Sequence, residues 1–354
     1  MEKQEIMLEM KKACHEGVPF FEDAPCYPTK PLIRLFHLGR SFPDQTDVGE
    51  MERMLKEYRE ILGSLVPVEN APEKIWLWPE GKMPRETDYT DNSDYRYNHD
   101  PDFRPYMYEM LVPESVNPKG AVVVCAGGDH GDASFHEAFQ SCRDLNELGY
   151  QCFLLLNRTN RCPWSGRECG ADAARAIRLV RSRAAAYRIL PDRVAFAGFS
   201  NGGLTGEACI QYYSGAQTVK DYFPDYEPDD LDLWRGEPDA FLCIYGPRWV
   251  GEPFDFAKVE YPPTFFAVGR EDTAMDNLHY VYPQLREHGV EMEIHTFAGV
   301  PHGKAGVKLI GEEGYENFAL WLPLSDAFMQ DVYRKKALRM HAEEEELKDI
   351  ITEQ

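Results

Sequence analysis

The chain has 354 residues, enough for one large α/β domain with extensions or for two domains, and enough to bury a sizeable core. Its 38 Lys and Arg against 60 Asp and Glu leave a formal net charge of -22, which repels nucleic acid and anionic membrane surfaces. No basic stripe with interleaved aromatics appears, so a neutral or cationic small substrate fits better than a polyanion.

The N-terminus, Met1-Glu2-Lys3-Gln4-Glu5-Ile6, has no apolar h-region or small-residue cleavage site. No apolar run is long enough to span a bilayer, so the expectation is a cytoplasmic protein with no membrane partner. The nine cysteines, among them Cys125, Cys152, Cys209 and Cys243, fall mostly in apolar runs and form no Cys-x-x-Cys pair. They are expected as reduced core residues rather than metal ligands.

Residues 1 to about 70 form a polar, helix-like N-terminal extension. After Thr46, the residues Met51, Met54, Leu55, Tyr58, Ile61, Leu62 and Leu65 recur at three- and four-residue spacing and share one helix face. That face must be covered: by the main domain as a flank, by the active site as a lid, or by a second copy. The main domain is expected over 71–330. Ile75-Trp76-Leu77-Trp78 opens a strand-rich section, Asp88 to Arg104 is polar and loop-like, and Tyr106 to Val112 is a half-buried strand.

From Ala121 the texture changes to apolar runs separated by helix-length segments. The runs begin at Ala121, Cys152, Val194, Phe241, Thr264 and Glu293, with Asp172 to Val180 and Tyr282 to Arg286 as covering helices. This predicts an α/β fold whose mostly parallel sheet carries helices on both faces. The segment 212–237, rich in Asp, Pro and aromatics, is an insertion or small cap beside the site. Residues 331–354 form a charged terminal helix with a solvated face.

Gly198-Phe199-Ser200-Asn201-Gly202 stands between the strand-like Val194-Ala195-Phe196-Ala197 and a helix-like segment. A Gly-x-Ser-x-Gly reversal from strand to helix presents its serine at the apex of a sharp turn, and the glycines let strand and helix approach closely. The pattern alone arises by chance in roughly one chain in ten of this length, so its surroundings must decide.

A serine hydroxyl is a weak nucleophile at neutral pH. It needs a histidine to take its proton and a carboxylate to hold that histidine's tautomer. Behind a strand-turn-helix serine these partners follow in the order acid, then histidine. Asp272, in Gly269-Arg270-Glu271-Asp272-Thr273, and His302, in Val300-Pro301-His302-Gly303, each follow a strand end, where open α/β sheets place their sites. Glu271 is the neighbouring competitor for the acid. His295 lies inside a strand and His279 and His288 on a helix-like stretch, where a core role is the simpler account.

Charge developing on a carbonyl oxygen needs donors aimed at it. The expected oxyanion donors are the amide of Asn201, which follows the serine, and an amide of Gly127 or Gly128 in the loop after Val122 to Cys125. Asp129, His130 and Asp132 in that loop lack further spaced ligands, so no metal and no cofactor is expected. Trp164, Tyr213 and Trp249 stand near strand ends, where aromatics are mostly packing residues, and are left out of the site.

Taken in order, the pieces resemble α/β-hydrolase esterases of the acetyl-xylan esterase and bacterial feruloyl esterase-like type. They are Leu77-Trp78-Pro79-Glu80-Gly81, Gly127-Gly128, Leu148-Gly149-Tyr150, Asp172 to Ile177, Leu190-Pro191-Asp192-Arg193, Gly198 to Gly203, Pro263 to Asp272, and Pro301-His302-Gly303. The resemblance spans about Ile75 to Leu322. It implies Ser200, Asp272 and His302 as a catalytic triad and hydrolysis of carboxylic esters, often acetyl groups on sugars. The family's oxyanion loop often runs Pro-Gly-Gly-Gly-aromatic, from which Ala126, Asp129 and His130 depart.

Two alternatives remain at this level. One is a serine peptidase of the prolyl-oligopeptidase type, although no blade-length repeat occurs before residue 110; the other is a non-catalytic binding protein on the same fold. The unmatched termini leave room for a homo-oligomer.

Overall fold

Among the described residues, eight strands join in a single sheet: β1 (Ile75–Trp76), β2 (Tyr106–Met110), β3 (Ala121–Cys125), β4 (Gln151–Leu156), β5 (Val194–Phe199), β6 (Ala240–Ile244), β7 (Thr264–Gly269) and β8 (Met292–Phe297). Their order is β1-β2-β4-β3-β5-β6-β7-β8, with β1–β2 and β2–β4 antiparallel and every later pair parallel. The structure, a computed structural model, describes residues 2–87, 103–128, 133–159, 166–248, 253–305 and 315–352, with side chains in the last helix as far as 343.

Every residue of β3 to β7 is buried. Side chains alternate between the two faces of a strand, so burial of consecutive residues requires cover on both sides. That is the reason these segments read as unbroken apolar runs. The edge strand β8 differs: Glu293, Ile294 and Thr296 are exposed, and His295 pairs with Glu293 at 3.1 Å. Charges on an open edge discourage pairing with other chains. His295 is therefore not a core residue, and His279 and His288 are exposed as well.

The chain leaves β3 for β4 on one side and returns to β5 on the other. The connections diverge there, opening a crevice at the carboxyl ends of β3 and β5, where Cys125 lies opposite Gly198.

The N-terminal helices α1 (Lys3–Glu22), α2 (Thr29–Ser41) and α3 (Val48–Ser64) pack on one another, and α1 also rests on a π-helical turn, Ser134–Phe139, that runs into α4 (Gln140–Glu147). Met51, Met54, Leu55 and Tyr58 supply the buried face of α3. This layer is a flank on the main domain; none of its residues lines the cavity at Ser200, which argues against a lid.

Further departures from expectation concern the other surface pieces. Segment 212–237 lies along α5 (Arg167–Ser182), where Arg175 pairs with Asp229 at 2.5 Å, and Arg178 donates to Asp232 at 2.9 Å and to the Trp234 carbonyl at 3.0 Å. It contributes nothing to the lining of that cavity: three arginines of α5, the helix packed against α6, hold its acids and carbonyls. The last helix runs Trp321–Thr352 and so begins before Asp331. Its first part is core: Trp321, Phe328, Met329, Val332 and Tyr333 are buried, and Pro323 is tolerated in the first turn, where no intrahelical amide bond is lost. The polar stretch Asp88 to Arg104 lies almost wholly outside the described residues.

Candidate active site

Strand β5 ends at Phe199 and α6 (Asn201–Tyr213) starts two residues later, with Ser200 between them at φ 50°, ψ -115°. Positive φ is unfavourable for a residue with a Cβ and persists where surrounding contacts over-determine it. Here the Ser200 N–H donates to the Ile244 carbonyl at 3.0 Å. Close approach accounts for the flanking glycines. A Cβ on Gly198 would stand 2.3 Å from the Gly202 oxygen, and one on Gly202 would stand 2.2 Å from the Cys125 oxygen.

The side chains of Ser200, His302 and Asp272 meet. His302 Nε2 lies 2.8 Å from Ser200 Oγ, and Nδ1 lies 2.8 Å from Asp272 Oδ2. An ionised carboxylate only accepts, so the imidazole donates through Nδ1–H, and Nε2 is left to accept from the serine hydroxyl. Asp272 is fully buried, and its second oxygen accepts the Ala274 N–H at 2.8 Å. The neighbouring Glu271 is exposed. The His302 pKa is raised chiefly by the hydrogen bond to Asp272, against the opposing effect of burial, with further help from the charges of Asp272 and Glu137.

The loop after β3 treats its two glycines differently. Gly127 turns its N–H inward to Glu137 Oε2 at 2.5 Å. Gly128, at φ 58°, lines the cavity instead, and its carbonyl accepts from Asn201 Nδ2 at 2.9 Å. Asn201 opens α6, so its amide is among those with no intrahelical acceptor. With the Gly127 N–H engaged by Glu137, Gly128 and Asn201 are the residues of the oxyanion set that line the cavity with Ser200.

Sequence reasoning missed two residues here. Tyr245, after β6, donates its hydroxyl to Glu137 Oε1 at 2.9 Å and sets its ring edge-on to His302 with centroids 5.0 Å apart. Glu137 is buried on the π-helical turn, and burial pushes its carboxyl above the usual carboxylate range. The available signal was an acid set among Phe135, Ala138 and Phe139, where a solvated charge has no place.

The cavity over Ser200 holds about 450 Å³, with Leu204 and Pro247 as its apolar wall and Thr273 and Asn277 as polar groups. Tyr213 points away, donating to the Arg167 carbonyl at 2.7 Å. Trp164, Trp249, Asp129, His130 and Asp132 lie outside the described residues. Among the described residues no group of three or more His, Cys, Asp or Glu could hold a metal. Behind the cavity, Glu207 of α6 accepts the Arg248 N–H at 3.1 Å, and burial pushes its carboxyl up to about 8.

No protein-family model matches the chain. A curated relative, endo-1,4-beta-xylanase B of Butyrivibrio fibrisolvens, is 23% identical over 266 residues, covering 68% of this chain. The chain spans only 40% of that protein's length. Among solved structures, the acetyl ester-xyloside bifunctional hydrolase of Caldicellulosiruptor lactoaceticus superposes with a TM-score of 0.53 at 23% identity, over 74% of this chain and 96% of that one. Thermogutta terrifontis esterase 2 phosphorylated by paraoxon gives 0.53 at 18% identity, over 75% and 96%. Its propionate-bound form gives 0.52 at 18% identity, over 74% and 95%. From the strand order, the turn at Ser200 and these neighbours, the chain has the α/β-hydrolase fold.

Proposed function

We propose that the protein is a serine carboxylic-ester hydrolase that works through an acyl-enzyme, with Ser200, His302 and Asp272 as its triad and a small or carbohydrate acetyl ester as its substrate. One observation carries this reading: His302 stands within 2.8 Å of both Ser200 Oγ and the buried Asp272 carboxylate. His302 Nε2 takes the Ser200 proton as Oγ attacks the ester carbonyl. The Asn201 and Gly128 amides receive the developing oxyanion. His302 then delivers its proton to the departing alkoxide, and water repeats the sequence to release the acid. Asp272 holds the imidazole orientation and favours its charged form.

The substrate class draws support from the neighbours' names, an acetyl ester-xyloside hydrolase and an esterase with propionate bound. A cavity of about 450 Å³ with Thr273 and Asn277 in its wall suits a short acyl chain and a hydroxylated alcohol. Intact mass after a fluorophosphonate probe, alongside turnover of p-nitrophenyl acetate and acetylated xylose, tests it. One adduct on wild type, absent from Ser200→Ala and much slowed in His302→Ala, is expected. Ester turnover at the wild-type rate in Ser200→Ala would remove the mechanism.

A further inference from the structure

We propose that Glu137 is a positioning residue that ties the oxyanion loop to the far wall of the site, fixing where the Gly128 amide stands relative to Ser200. The inference rests on the reading of Ser200 as nucleophile.

The two oxygens of the buried carboxyl reach two different elements. Oε2 receives the Gly127 N–H from the loop after β3, and Oε1 receives the Tyr245 hydroxyl from the segment after β6. With its N–H held inward, Gly127 cannot turn to the cavity, and the next residue, Gly128, is the one that lines it. Between those elements in the sheet runs β5, which carries Ser200. The carboxyl therefore links the segments that follow the two strands flanking the nucleophile's own.

The neighbouring side chain acts on the other arm of the site. A carbonyl only accepts, so His136 donates through Nε2–H to the Gly303 oxygen at 3.0 Å, directly after His302. Adjacent residues of an ordinary helix point about 100° apart. The π-helical turn Ser134–Phe139 carries both side chains into the core at once, and such turns recur at functional sites.

The N-terminal layer braces this turn. Phe36 stacks on His136 with centroids 5.2 Å apart, and Phe21 and Phe36 pack on Phe135 at 5.5 Å and 5.9 Å. Helices α1 and α2 thereby support the loop geometry without touching the cavity.

Positioning of an amide should act on kcat more than on KM, because the oxyanion exists only along the reaction path. In Glu137→Ala, kcat for p-nitrophenyl acetate should fall about 10²-fold with KM within about threefold. Glu137→Gln keeps one acceptor for Gly127 and offers an N–H to the Tyr245 oxygen, so it should recover most of the loss. A structural readout accompanies these rates. In the amide spectrum of glycine-labelled protein, the carboxylate-bound Gly127 resonance should sit downfield, and it should move upfield and exchange faster in Glu137→Ala.

Wild-type kcat in a folded Glu137→Ala, or an unmoved Gly127 resonance, would overturn the proposal. If that variant does not fold, Tyr245→Phe decides: kcat should drop about tenfold with KM held, and an unchanged kcat would overturn it. Absence of ester turnover in wild type would instead sink the proposed function, and the Gly127 resonance would then decide the tie alone.

Discussion

Asp272 is fully buried, yet the imidazole it holds at 2.8 Å, His302, has nearly half of its side chain, 47%, in contact with solvent. The hydrogen bond to Asp272, helped by that carboxylate's charge, outweighs partial burial, so the His302 pKa lies above its ordinary value. The neutral imidazole is the form that accepts the Ser200 proton. Ester turnover should therefore rise as pH increases through the raised His302 pKa, placing the acid limb of kcat/KM above about 6.5. Asp272→Asn removes the charge and puts an NH2 donor beside the remaining acceptor oxygen, so the side chain no longer fixes the His302 tautomer. Its limb should move to lower pH while kcat falls about 10⁴-fold. A pH profile on both proteins checks this, and an acid limb that stays in place in Asp272→Asn would count against it.

A second buried pair supports stability rather than chemistry. Arg158 and Asp172 are both fully buried and bonded at 2.7 Å, and Asp172 also receives the Trp78 indole N–H at 2.7 Å. Removing one charge leaves the other unpaired in a low-dielectric interior, which costs about 3–5 kcal/mol. Asp172→Ala should lower Tm by roughly 5–10 °C. The paired change Arg158→Met with Asp172→Leu should recover much of that loss. Thermal unfolding of the three variants is the test, and a single variant as stable as wild type would refute it.

Glu207 gives the opposite sign from most carboxylates. Burial pushes it up to about 8, whereas in the unfolded chain it titrates near about 4.3. Between those values the folded state holds a proton that the unfolded state has lost. Its contribution is present below the lower value and fades as pH rises towards 8. Glu207→Gln stays neutral and keeps an acceptor for the Arg248 N–H, which donates to Glu207 at 3.1 Å. Its Tm should exceed that of wild type by about 2–5 °C at pH 9, with the difference shrinking towards pH 6. A difference that is flat across that range would show that the carboxyl does not titrate there.

What was legible in the chain was whatever a few neighbouring residues decide. Apolar runs such as Val122 to Cys125 and Phe196-Ala197 mark strands buried on both faces, because no polar residue interrupts them. The Gly198–Gly202 turn is local sterics, and the chain order of Ser200, Asp272 and His302 at strand ends follows from it and from the strand pattern. The tertiary structure alone decided that the Gly127 N–H is spent on Glu137 while Gly128 lines the cavity. That choice depends on Glu137, ten positions along the chain, and on Tyr245, which is 108 residues from Glu137. It also decided that segment 212–237 turns to α5, drawn by Arg175 and Arg178, rather than to the site. Local spacing encodes turns and strands, whereas the direction of a buried hydrogen bond is set by groups that meet only after the sheet has closed.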